Sequence, residues 1–172
     1  MECDQCGSRN LSRTEIEGYL LFECNLCGNL QGDDEAVQRI EELRRGRERG
    51  LDDEIIPLVT VLESAGVFRT VQASAGDPAR REWPYIFFAL TRNDTTYIER
   101  LLRSLEHANR TTKMRWLIEL SLQHGIIYIL RPRFWKSPAD ITPQEIHVAR
   151  RDLATLADRL RRDLSLSWWQ DR

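Results

Sequence analysis

The chain has 172 residues, enough for one ordinary domain and a small accessory module. Hydrophobic residues make up 41% and charged residues 30%, which excludes a disordered chain, and no apolar run approaches the roughly 20 residues of a membrane-spanning helix. The net charge of −2 does not require a nucleic-acid partner, although residues 1–53 carry 13 acids and 7 bases, whereas residues 54–172 carry 14 acids and 18 bases.

The N-terminus has neither the basic start nor the apolar core of a signal peptide, so we expect a cytoplasmic protein. Its four cysteines form two Cys-x-x-Cys pairs, which in a reducing compartment are typical of a metal site rather than of disulfides. The cysteines are Cys3, Cys6, Cys24 and Cys27.

Each cysteine pair is followed by a glycine, Gly7 or Gly28, which can adopt positive φ after the second ligand. Two such turns can supply the tetrahedron of thiolates that Zn²⁺ favours, and four cysteine ligands leave no coordination position open, so the predicted zinc is structural. A redox role for either pair is the alternative. The arrangement resembles the zinc-ribbon family from residue 3 to about residue 30, with a strand at residues 19–23 leading into the second pair.

The predicted ribbon is acidic. Residues 1–32 contain five acids and only two bases, and a zinc bound by four thiolates adds two further negative charges. Because such a module is repelled by phosphates, its charge favours protein docking or a purely structural role over nucleic-acid binding.

A short linker helix follows the ribbon. Asp33, Asp34 and Glu35 suit a helix start, and Ala36, Val37, Ile40 and Leu43 lie on one side of it. The predicted division is therefore a zinc ribbon at 1–32, a linker helix at 33–51 and a larger domain at 52–172.

The larger domain alternates helices with pairs of strands. Asp52 or Asp53 is predicted to cap a helix that ends at Gly66, and strands follow at 67–72 and 85–90, the second nearly all apolar and therefore central. A second helix begins at the Thr-x-x-Glu capping box of residues 96–99, and a hairpin of residues 114–120 and 126–130 follows. The last helix begins at the capping box of residues 142–145.

This order predicts an α+β fold: an N-terminal zinc ribbon with four cysteine ligands, followed by an α-β-β-α-β-β-α domain. Because two helix-strand-strand units follow one another, we expect a four-stranded, mainly antiparallel sheet covered by helices.

The loop at 73–78, Ala-Ser-Ala-Gly-Asp-Pro, follows a strand and precedes the basic pair Arg80 and Arg81. Residues 54–90 are similar to the tRNA wybutosine-synthesis methyltransferase family, in which a Ser-Cys-x-Gly-like loop follows the first strand of an α/β domain. The matching residues here are 73–76, without the cysteine. The resemblance implies an RNA- or nucleotide-related enzyme with a site at this loop, whereas an ordinary hairpin loop is the alternative.

Nucleotide-binding and hydrolase motifs such as GxGxxG, the P-loop, GxSxG and HExxH are missing from the sequence. The first hypothesis is therefore a non-enzymatic adaptor or regulatory protein that contacts a protein partner or a second copy of itself. Trp168 and Trp169 at the C-terminus are candidate anchors for such a contact, or they fold back onto the protein.

The second hypothesis is nucleic-acid binding by the arginine-rich larger domain. Its candidate residues are Arg80, Arg81, Arg131, Arg133, Arg150, Arg151, Arg159, Arg161 and Arg162.

Overall fold

The computed structural model describes residues 1–16, 18–92, 94–122, 126–133 and 140–164. The chain divides into two compact units, one spanning Met1–Arg49 and the other beginning at Gly50. Within the described ranges, no helix is both long enough and apolar enough to cross a membrane.

The first unit is a three-stranded antiparallel sheet with one helix. Strands β1 (Leu11–Ile16) and β2 (Tyr19–Cys24) form a hairpin in which Leu11 lies opposite Cys24, and the short β3 (Leu30–Gln31) pairs with the other edge of β2. Leu21 and Leu30 are buried and supply much of the small apolar core.

Helix α1 (Asp34–Glu48) belongs to this first unit and contacts β2 and β3. It begins as predicted, because the Asp33 carboxylate accepts hydrogen bonds from the backbone N–H of Glu35 and Ala36, both at 3.1 Å. Ala36, Ile40 and Leu43 are buried along one side of the helix.

The second unit has the predicted α-β-β-α-β-β-α order. Its elements are α2 (Ile56–Ser64), β4 (Phe68–Ser74), β5 (Tyr85–Leu90), α3 (Thr96–Ala108), β6 (Trp116–Ser121), β7 (Ile127–Pro132) and α4 (Pro143–Leu164). The strand order is β4-β5-β7-β6 and every neighbouring pair is antiparallel, which confirms the α+β prediction and the central place of β5.

The core of the second unit lies between one face of this sheet and its helices. Alternate residues of the strands point inward, so that the buried side chains include Phe68, Ile86, Phe88, Trp116, Tyr128 and Leu130. Helix α2 contacts β4 at one edge, α3 contacts β6 at the other edge, and α4 contacts both helices. The sheet edge at β6 therefore lies beside α3.

Of the three predicted helix caps in the second unit, one is present and two are not. The Thr142 capping box is confirmed, since Glu145 N–H donates to Thr142 Oγ1 at 3.3 Å and Thr142 N–H donates to Glu145 Oε2 at 3.0 Å. The box at Thr96 is wrong, because Thr96 is already helical and its N–H donates to Asp94 Oδ1 at 2.9 Å. The predicted aspartate cap of α2 is also wrong, since Ile55 occupies the N-cap without a side-chain hydrogen bond.

Candidate metal centre

The two Cys-x-x-Cys turns have the same backbone hydrogen bonds. In the first, Cys3 N–H donates to Ser8 O and Gly7 N–H donates to Cys3 O, both at 2.8 Å. In the second, Cys24 N–H donates to Asn29 O at 2.9 Å and Gly28 N–H donates to Cys24 O at 2.8 Å. Gly7 and Gly28 have φ of 72° and 73°, so the predicted positive φ after each second cysteine is confirmed.

The strands bring the two turns together. Because β2 ends at Cys24, the hairpin places the second turn beside the start of β1, where Asn25 N–H donates to Asn10 O at 3.0 Å. The Asn25 side chain accepts from Ser12 Oγ and donates to Asn10 Oδ1, both at 2.9 Å. These contacts hold the second turn against the hairpin.

The four cysteine sulfurs form one cluster. All four Sγ atoms lie within 4.8 Å of one another, and the Cys3–Cys27 and Cys6–Cys24 pairs are both 3.6 Å apart. A regular tetrahedron with metal–sulfur bonds of about 2.3 Å has edges of about 3.8 Å, so these separations fit one metal ion held by four thiolates. They are also far longer than a disulfide bond of about 2.05 Å. The chain therefore carries a cysteine cluster that can bind a metal ion.

Backbone amides favour the thiolate form of the two buried cysteines. The pKa of Cys24 falls to about 6, because the N–H groups of Cys27 and Leu26 donate to its sulfur and outweigh the effect of burial. Burial opposes ionisation of Cys3, but the N–H groups of Cys6 and Gln5 prevail and lower its pKa.

The two exposed cysteines behave in the opposite way. The N–H of Ser8 favours the Cys6 thiolate, but the sulfur of Cys27, burial of the thiol and the sulfur of Cys24 together raise the pKa of Cys6 to about 12. Similarly, the pKa of Cys27 is raised by burial and by the sulfurs of Cys3 and Cys24, against the N–H of Asn29. Without a metal, the amides thus favour negative charge on Cys24 and Cys3, whereas Cys6 and Cys27 hold their protons more tightly than an ordinary thiol.

Comparison of the chain with family models, with curated proteins and with solved structures finds no match.

The 73–78 loop is tied to the rest of its own unit. Asp52 accepts a hydrogen bond from Ala75 N–H at 3.0 Å, and Ser74 Oγ accepts one from Gly76 N–H at 3.1 Å. A Cβ on Gly76 would lie 2.6 Å from Glu82 O and 2.7 Å from Pro84 N. The backbone donors of Ala75 and Gly76 are therefore used within the protein, and the loop packs closely on the 82–84 segment.

Four of the nine arginines predicted to bind nucleic acid lie beside acids. Arg80 pairs with Asp77 at 3.4 Å in the turn before β5, and Arg131 pairs with Glu119 at 2.5 Å across the β6–β7 hairpin. Other members of the set are partnered as well, in the pairs Arg150–Glu54, Arg159–His107 and Arg161–Asp158. The charges of Arg80, Arg131, Arg150 and Arg161 are thereby partly neutralised. Trp168 and Trp169 lie outside the described residues.

A second candidate site was missed by sequence reasoning. Two cavities of about 340 and 280 Å³ lie along the edge of α3 and β6 and share Glu106, Asn109 and Arg115 as lining residues. We call this concavity the basic groove, because its cations are Arg103, Arg110, Lys113, Arg115 and Arg133. The only signal in the sequence is the basic density between residues 110 and 115, which does not reveal that Arg103 and Arg133 join it.

Proposed function

We propose that the protein is a non-enzymatic adaptor whose N-terminal ribbon, folded around a structural Zn²⁺, docks onto a protein partner. The observation that carries the proposal is the closed cluster, since four sulfurs at tetrahedral separations supply every ligand that the metal needs. A metal with no open position does not bind substrate or activate water, which favours a scaffolding role.

Zinc is the metal that we propose for the cluster. Four thiolates in a tetrahedron suit Zn²⁺ or iron among biological metals, and zinc adds no redox chemistry to an adaptor. The same thiols require a reducing compartment, so we place the protein in the cytoplasm.

The docking surface that we propose is the tip of the second cysteine turn. Leu26 lies there with 74% of its surface exposed, although a leucine gains free energy when it leaves water. Asp4 is an exposed acid of the first cysteine turn, and a metal bound by four thiolates adds negative charge. A partner with an apolar pocket rimmed by basic side chains would complement this surface.

The metal assignment is tested by measuring the metal content of the purified protein. We expect one zinc per chain, lost in the Cys24→Ser variant. Iron with a coloured thiolate absorption would replace zinc in the proposal, and a metal-free protein with reactive thiols would overturn it.

The docking proposal is tested by affinity capture from the native cell. We expect one partner that the wild-type chain and Leu122→Asp retain and that Leu26→Asp and Cys24→Ser lose. Leu122 is a matched control, because it is 70% exposed and belongs to the second unit. Sedimentation of the purified chain measures its oligomeric state, and a dimer would show that the partner is a second copy of the chain. Equal capture by all four proteins, or a monomer that captures nothing, would contradict docking by the ribbon.

A further inference from the structure

We propose that the basic groove binds the sugar–phosphate backbone of a single-stranded nucleic acid. The groove belongs entirely to the second unit, so this inference is independent of the ribbon and of the adaptor function.

Four of the five cations of the groove are not neutralised by a neighbouring acid among the described residues. Arg103, Arg110, Lys113 and Arg115 are exposed, and none of them forms an ion pair within the part of the chain that the structure describes. With Arg133 they place five positive charges around the two cavities, against one carboxylate, that of Glu106. Charges that are not neutralised locally are available to phosphates, and binding then releases the counterions that had condensed on the nucleic acid.

The groove also offers apolar surface beside its charges. Leu102, which is 44% exposed, and Leu117 line the larger cavity, and Met114 lines the smaller one. Each cavity is near the lower end of the size range of small-ligand pockets. Apolar walls beside arginines suit a chain that alternates anionic phosphates with flat bases and sugars.

The backbone beneath the groove is held in place by side chains. The buried carboxylate of Asp152 accepts hydrogen bonds from Lys113 N–H at 2.9 Å and Met114 N–H at 2.6 Å. The Asn109 amide accepts from Trp116 N–H at 2.7 Å and donates to Trp116 O at 2.9 Å. The α3–β6 connection is thus preorganised, which reduces the entropy that a ligand must remove.

The concave shape favours a single strand over a duplex. Proteins read double-stranded DNA with a helix or ribbon that enters a groove of the duplex, whereas here the cations line a recess of the protein. A flexible single strand can follow such a recess. An acidic peptide carries the same sign of charge as a nucleic acid, so the experiment below tests it as a competitor.

The experiment measures binding of a fluorescein-labelled 12-nucleotide single strand to the full chain by fluorescence anisotropy. Four phosphate contacts, one for each groove cation without an ion pair, predict an affinity that falls about 50-fold between about 50 and 200 mM salt. The Arg110→Gln/Lys113→Gln variant should bind at least about tenfold more weakly, with a shallower salt dependence. The control Arg69→Gln/Arg92→Gln makes the same charge change at the opposite end of the sheet, and we expect its affinity to stay within about twofold of wild type.

The variant Glu106→Gln guards against a loss of binding that merely reflects misfolding. It removes the one acid of the groove, so we expect binding about threefold tighter, a gain that an unfolded protein cannot show. Equal losses in the groove and control variants, or no binding at about 50 mM salt, would overturn the proposal. So would a duplex that binds as tightly as the single strand, or full displacement of the strand by an equimolar poly-glutamate peptide.

Discussion

Asp152 in the last helix anchors Met114, which lies 38 residues earlier, by accepting its backbone N–H at 2.6 Å while the other carboxylate oxygen accepts Lys113 N–H at 2.9 Å. The Asp152 side chain is buried, with 4% of its surface exposed. One carboxylate therefore satisfies two backbone donors of the α3–β6 connection and ties that connection to α4.

We expect Asp152→Asn to lower the free energy of unfolding by about 2 to 3 kcal/mol, because one accepting oxygen becomes an NH₂ group that faces a backbone donor. Urea denaturation of the full chain measures the change. Asp158→Asn on the same helix is the control, since its carboxylate is exposed and pairs with Arg161 at 3.7 Å, and its cost should stay below about 1 kcal/mol. Equal costs for the two variants would show that Asp152 does not anchor the connection.

Gly76 occupies a position that no other residue fits. We expect Gly76→Ala to destabilise the second unit by about 3 kcal/mol, since its φ is 80° and a Cβ would overlap the backbone of Glu82 and Pro84. Gly66→Ala has a similar φ of 71° but open space around the added Cβ, so it should cost only about 1 kcal/mol. Thermal denaturation of both variants separates the two effects, and similar melting temperatures would contradict the close packing of the 73–78 loop.

Removal of the metal should unfold the ribbon and leave the second unit folded. The first unit has a small apolar core, so we expect its fold to need a bound metal, whereas the second unit has a core of its own. We expect Cys24→Ser, or a strong chelator, to remove the bound metal and to abolish one of two melting transitions recorded by circular dichroism. A chelator should have no further effect on Cys24→Ser, and a wild-type spectrum for that variant would contradict the metal site.

Metal binding should release fewer than four protons near pH 7.5, between about two and three. In the metal-free cluster the pKa of Cys24 is lowered to about 6, so Cys24 is largely a thiolate at this pH. The pKa of Cys3 is also lowered, so its thiol ionises more readily than an ordinary cysteine. Cys6, with its pKa raised to about 12, and Cys27, whose pKa is also raised, still hold protons that the metal must displace.

The metal affinity should therefore rise with pH by about 100- to 1,000-fold per unit above the Cys24 pKa. Below that pKa it should change more steeply, because Cys24 must then also lose a proton. Competition with a coloured metal indicator measures how the metal affinity changes with pH above and below the Cys24 pKa. The titrations cover about pH 5.5 to 8.5, a range that brackets a thiolate pKa of about 6. A slope of four protons at pH 7.5 would show that the amides do not stabilise the Cys3 and Cys24 thiolates.

Local patterns in the sequence were sufficient to predict the cysteine cluster and the order of elements. Each Cys-x-x-Cys-Gly turn is held by hydrogen bonds that span at most five residues, such as Cys3 N–H to Ser8 O, so its geometry follows from adjacent residues. The Thr142 capping box is equally local. The capping box predicted at Thr96 does not form, because the Thr96 N–H that Glu99 would accept donates instead to the Asp94 carboxylate, two residues earlier.

Contacts between residues far apart in the chain decide whether each charged side chain is neutralised by a neighbour. Arg150 is adjacent to Glu54 although 96 residues separate them, and nothing near Arg150 in the sequence predicts that its charge is neutralised. Conversely, Arg103 and Arg133 line one concavity because the chain folds α3 against the edge strand β6.

The sequence alone thus determined the four cysteines of a cluster that can bind a metal ion and the α-β-β-α-β-β-α order, because turn geometry and periodicity depend on neighbouring residues. Only the tertiary structure decided which cations are paired and which line the basic groove, because an ion pair depends on distances that folding sets across the chain.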